Sequence, residues 1–306
     1  MAHDHAHDHG HQHGPKSYGR AFAIGISLNI VFVILETVYG VSTGSVALVA
    51  DAAHNLSDVL GLAFAWAALV LAQRKPSRRR TYGLRKTTVL AALGNSVFLL
   101  VAVGGVAWEA LGRLRHPSNV EGGVVMAVAA VGVVINGVSA MLFAKGRKGD
   151  ANVKGAFLHL ASDAAVSFGV VIAGGIILKT GWMAIDPLIS LVVSFVILVG
   201  TWSLLKQSVN LALDAVPEGI DAEAVNTYLL ALPGVLEVHD LHIWAMSTTE
   251  TALTAHLVME TNTCEPRFLG DVGAALHDKF KIEHSTLQVE APEAPDPCRL
   301  AAEGTL

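Results

Sequence analysis

The chain has 306 residues, of which 52% are hydrophobic and 15% charged, against about 25% charged in an ordinary soluble domain, so apolar surface is in excess. The net charge of −5 is split, with sixteen acidic and four basic residues from Asp214 onward and seventeen basic and ten acidic residues before it. An acidic tail argues against nucleic acid, which needs basic patches, and two cysteines, Cys264 and Cys298, are too few for a disulfide framework.

Residues 1–15 are predicted to be a disordered arm, because six histidines at every second position from His3 to His13 have nothing to bury. It resembles a metal-collecting tract. Six apolar segments follow at about 20–41, 46–72, 87–111, 120–144, 156–178 and 184–205, each long enough to cross about 30 Å of hydrocarbon as a helix. No cleavage pattern follows the first, so it reads as a span and not as a signal peptide.

The loops set the orientation. Arg74, Lys75, Arg78, Arg79, Arg80, Arg85 and Lys86 lie between spans two and three, and Lys145, Arg147, Lys148 and Lys154 between spans four and five. The alternate loops hold far fewer basic residues. Basic loops stay inside, so both termini are expected in the cytoplasm, with a bacterial inner membrane as the setting. From about residue 213 to 291 the pattern becomes that of a small soluble α+β domain: a helix over 222–232, strands over 235–244 and 251–259, a helix over 267–280 and a strand over 284–290. Residues 292–306, rich in Pro and Ala, read as a loose tail.

Ionisable groups inside a span cost about 2.5–3.5 kcal/mol each on insertion scales and mark a polar path or a partner. Span two carries His54 and Asp58, and span five carries His159 and Asp163. In each, a His precedes an Asp by four residues, which puts both on one helix face. One such pair reads equally as a local hydrogen bond. Two pairs of identical spacing, facing each other, supply two imidazole nitrogens and two carboxylates, a tetrahedral set suited to Zn²⁺ whose charges neutralise the ion. Asp51 lies one turn before His54 and faces either the same cavity or the membrane surface. Glu36 is open, and Asn29, Asn95 and Asn136 read as bonds between helices. In the tail, His239, His256 and His284 each fall in a different strand, which suits either a metal site or ordinary sheet histidines. Cys298 is a peripheral candidate only.

These residues sit in segments that together resemble the zinc-transporter branch of the cation diffusion facilitator family. The segments are SVALVADAAHNLSD (45–58), YGLRKTTVLAAL (82–93), LHLASD (158–163), DPLIS (186–190), VHDLHIW (238–244) and HSTLQVE (284–290). The resemblance spans about Lys16 to Glu290. It implies a membrane α-helical protein with six transmembrane helices (residues 16–212), a cytoplasmic ferredoxin-like α+β domain (213–291) and a homodimer in membrane lipid. It also implies export of Zn²⁺ from the cytosol in exchange for protons, with no enzymatic step. The family's transport positions fall on His54, Asp58, His159 and Asp163, and its cytoplasmic metal positions on His239, His256 and His284. Lys86 and Asp214 fall near positions that interlock helices and tail in relatives. Some relatives bind a second metal in the loop after span two. Here that loop, QRKPSRRRTY (73–82), offers no ligand, and no such site is expected. The alternatives are an exporter of Co²⁺, Cd²⁺ or Fe²⁺ and a membrane metal sensor that does not conduct.

Overall fold

The computed structural model describes residues 19–116, 119–143, 151–260 and 267–292. The histidine-rich arm, the basic residues Lys145, Arg147 and Lys148, both cysteines, the stretch from 293 onward and the side chain of His159 lie outside the described residues. Six long helices come first: α1 (Gly19–Thr43), α2 (Val46–Ala72), α3 (Thr87–Arg115), α4 (Gly122–Phe143), α5 (Ala151–Thr180) and α6 (Ile185–Ala212). Among the described residues, Thr87–Arg115, Gly122–Met141, Leu160–Thr180 and Ile185–Ala212 are long and apolar enough to cross a membrane, and Ser27–Thr43 is a shorter apolar helix. Large apolar side chains such as Val101, Phe195 and Trp202 are exposed on these helices, as a lipid-facing surface requires.

Several helices outrun their apolar stretches. The 28-residue α6 is about 42 Å long at 1.5 Å per residue, well over the hydrocarbon thickness. Hydropathy marks only the part that needs lipid, whereas helical hydrogen bonding continues to a breaker. Two breakers are glycines in the left-handed region, Gly44 (φ 67°) after α1 and Gly181 (φ 68°) after α5. There a Cβ would be strained, and the Gly181 N–H donates to the Ile177 carbonyl at 2.8 Å, closing the last turn of α5.

The chain divides into two compact units, Met1–Val59 with Val106–Ser194, and Leu60–Gly105 with Phe195–Leu306. In the first, Ala47, Leu48, Val125, Ala129, Val170 and Ile177 form a buried cluster. Here α4 and α5 approach through glycines. A Cβ on Gly174 would lie 2.7 Å from the Met126 nitrogen and 2.8 Å from the Gly122 carbonyl oxygen. Both neighbours are backbone and cannot rotate away, so Gly174→Leu should force the helices apart. That costs at least the roughly 1–3 kcal/mol of an overpacked core. Membrane yield and the thermal midpoint of the purified protein should both fall sharply, and a wild-type midpoint would show that the crossing is looser.

The second unit ends in the domain α7 (Ala222–Leu230), β1 (Val235–Ala245), β2 (Thr251–Met259), α8 (Phe268–Phe280) and β3 (His284–Glu290), within a residue or two of the sequence expectation. Asp221 caps α7 by accepting from the Glu223 and Ala224 N–H groups at 3.0 and 3.2 Å. The sheet order is β1-β2-β3, with β1–β2 antiparallel and β2–β3 parallel through α8. The leading strand of a full ferredoxin-like βαββαβ order is not among the described residues, so β2 pairs directly with β3. Val225 and Leu229 of α7 and Val272 and Leu276 of α8 pack on Leu241, Ile243, Leu253 and Leu257, which leaves the polar residues of the strands to the other face.

This domain is joined to the start of α3. Lys86 forms an ion pair with Asp214 and donates to the Ala245 carbonyl at 2.9 Å. Arg85 donates to Glu250 at 2.8 Å, and the Thr248 N–H donates to the Thr88 hydroxyl at 3.0 Å.

Candidate functional site

On α2, Asp51, His54, Asn55 and Asp58 stand at i, i+3, i+4 and i+7, which is one helix face. Asp163 and Ser167 stand one turn apart on α5. His54 Nε2 lies 3.9 Å from Asp58 Oδ2 and 3.4 Å from Asp163 Oδ1, and one donor atom from each of the three residues falls within 4.8 Å of the others. Bonds of 2.0–2.2 Å at tetrahedral angles put ligand atoms about 3.3–3.6 Å apart, so the His54–Asp163 edge already has the span of a bound zinc. The Asp163 side chain is 3% exposed and that of Asp58 32%, so the group is open on one side. His159 precedes Asp163 by one helical turn on α5.

Several other buried polar groups brace this face. Asp51 is fully buried and accepts from the Ser167 hydroxyl at 2.8 Å, joining α2 to α5. Glu36 of α1, also fully buried, accepts from Asn55 Nδ2 at 3.3 Å. The bond between helices is thus made by Asn55. Asn136 is buried, and neither its oxygen nor its nitrogen has a hydrogen-bond partner among the described residues. Asp186 in the first turn of α6 caps α2 from outside, accepting from the Ser45 hydroxyl at 2.5 Å and the Val46 N–H at 2.8 Å. The Ser45 oxygen in turn accepts from the Leu48 N–H at 3.2 Å. The start of the helix that bears His54 and Asp58 is therefore held by a buried carboxylate.

The C-terminal α+β domain holds a second cluster. His239 pairs with His256 across β1 and β2, and His256 pairs with Gln288 of β3. Glu290, two residues further along, returns to the same face. His256 Nδ1 lies 2.7 Å from Glu290 Oε1, and His239 Nε2 lies 3.5 Å from Glu290 Oε2. The two imidazole rings meet edge to face with centroids 5.2 Å apart. His239 is buried with no hydrogen bond at either ring nitrogen among the described residues. Two imidazoles and a carboxylate suit Zn²⁺, and an ion would satisfy the His239 nitrogen that the protein does not. Asp240 takes φ 52° where β1 breaks register between His239 and His242. Its carboxylate lies 3.0 Å from His242 Nε2 and 3.7 Å from His256 Nε2.

His284 stands apart from this cluster. It pairs with Ala252, four residues from the His256 level, about 13 Å along the strand, and its ring meets Tyr82 edge-on at 5.9 Å. Glu290, at the other end of β3, lies beside the two histidines. Both even-numbered ends of β3 face the same way, so alternation alone does not choose between them. The strand register does.

Residues 22–211 match the cation efflux transmembrane domain, and residues 217–292 match the cytoplasmic domain of cation efflux proteins. The chain belongs to the cation diffusion facilitator family. Its similarity to named members covers most of both chains. It is 40% identical to the metal cation efflux system protein CzcD of Cupriavidus metallidurans, over 89% of this chain and 86% of that one. It is 36% identical to the zinc transporter ZitB of Escherichia coli, over 95% and 93%. It is 31% identical to a cadmium, cobalt and zinc/H(+)-K(+) antiporter of Bacillus subtilis, over 85% of each. The family is one of multi-pass membrane transporters for cations, not of enzymes.

Proposed function

We propose that this family member exports Zn²⁺ from the cytosol by proton antiport, through a site of His54, Asp58, His159 and Asp163. The observation that carries the reading is the meeting of His54, Asp58 and Asp163 between α2 and α5, with His159 one turn from Asp163. Two carboxylates balance the charge of a divalent cation in a low-dielectric surrounding. Metal binding requires deprotonated ligands, so protons arriving at the same His and Asp groups expel the ion. Alternating access to the two sides then couples zinc outflow to proton entry with no further ionisable site. Relatives named as a zinc transporter and as an antiporter support the cargo and the exchange.

The domain plan that fits is an N-terminal arm (1–15), the helical domain (16–212), the cytoplasmic domain (213–291) and a short tail, assembled as a homodimer through the cytoplasmic domain. The contacts of Lys86 and Arg85 with Asp214 and Glu250 favour the α2–α3 loop on the same side as the cytoplasmic domain. Two crossings before that loop return the N-terminus to this side, so both termini are cytoplasmic. His239, His256 and Glu290 are the zinc-holding set of the cytoplasmic domain.

Purified protein in liposomes with an acidic lumen and a lumenal pH dye tests the transport reading. Zinc added outside should enter while the lumen turns alkaline. Zinc entry without a dye response would end the antiport, and no entry would end the transport. In the same assay His54→Asp should keep transport but lower the Zn²⁺ preference over Mn²⁺ by about tenfold, since a carboxylate makes the ligand set harder. An unchanged ion ranking would remove His54 from the selectivity ligands.

A further inference from the structure

The loop between α2 and α3 is built into a definite shape. The Ser77 and Arg80 backbones bond each other in both directions at 3.0 Å. Gly83 takes φ 73°, where an added Cβ would stand 3.2 Å from the Arg74 carbonyl oxygen. The loop therefore folds back on its own beginning. Beside it lies a cavity of about 420 Å³, walled by Leu69 and Ala72 of the last turn of α2 and rimmed by Arg74, Lys75, Tyr82 and Arg85. Its floor is the β1–β2 turn, Ser247, Thr249 and Glu250. Glu250 is the only acidic residue of the lining and is paired with Arg85, so two positive charges, those of Arg74 and Lys75, have no balancing acid in the wall.

From this arrangement we propose that the cavity binds a phosphate group, that of an anionic phospholipid at the cytoplasmic face of the bilayer. The cationic rim and the Tyr82 hydroxyl suit a phosphodiester, while the Ser247 oxygen accepts from the Thr249 and Glu250 N–H groups and holds the turn. Leu69 and Ala72 stand in the last turn of α2, where its apolar stretch gives way to the basic loop, and basic pockets at the headgroup level attract anionic lipid. A soluble phosphate shares the polar contacts but has no use for Leu69 and Ala72. Because the floor belongs to the cytoplasmic domain, the bound lipid would hold the β1–β2 turn against the start of α3. The inference does not depend on which ion is carried.

Thermal unfolding of the full-length protein in detergent, with added phosphatidylglycerol, phosphatidylcholine or inorganic phosphate, tests it. Phosphatidylglycerol should raise the midpoint by roughly 3 °C more than phosphatidylcholine. The double variant Arg74→Gln/Lys75→Gln should lose that difference. Arg78→Gln/Arg79→Gln, which removes the same charge from the same loop outside the cavity, should keep it. Equal loss in both double variants would mean a diffuse charge effect and overturn the site, as would a wild-type protein indifferent to phosphatidylglycerol. Inorganic phosphate reproducing the whole shift would overturn the lipid as its occupant.

Discussion

Asp163→Asn should lower zinc flux in liposomes on the order of 100-fold while leaving a folded protein. The substitution keeps the shape and one oxygen of a side chain that is 3% exposed and removes only its charge. The bound ion then retains an uncompensated positive charge in a low-dielectric site, and pairing is what makes a buried charge tolerable. Flux within a factor of two of wild type, at matched protein density and with an unchanged elution volume, would refute the assignment of Asp163 as a ligand.

The second large effect is expected in the cytoplasmic domain and separates two acceptors of the same strand. In a chain lacking residues 2–14 and carrying Asp163→Asn, calorimetry should report zinc binding mainly at the cytoplasmic cluster. Glu290→Gln should weaken that binding at least about tenfold, because Glu290 is the carboxylate that reaches both His239 and His256. His284→Ala should leave it unchanged, given its place beside Tyr82. The opposite ranking would mean that the zinc-holding set is assembled differently, with His284 as a member.

The sequence by itself determined the membrane class, the count of long helices, the following α+β layer and the placing of a His four residues before an Asp on α2 and on α5. These are local properties. A helix brings residues four apart onto one face whatever surrounds it, and the lipid solvent demands about 20 apolar residues in a row. The cation diffusion facilitator motifs added Lys86 and Asp214, which the structure joins although nothing in the spacing required it.

What the tertiary structure alone decided depends on how distant segments meet. Among the described residues, Asn55 bonds to the buried Glu36 of another helix, whereas the buried Asn136 has no hydrogen-bond partner. Asp186 became the cap of α2 across about 140 positions of chain, a relation with no sequence spacing to announce it. In the sheet, the break of register at Asp240 and the level at which β3 lies beside β2 placed Glu290, not His284, beside the two histidines. Alternation tells which face a strand residue occupies, but its neighbours across the sheet follow from strand register, and register is set by nonlocal packing and by bulges that period-two patterning does not contain.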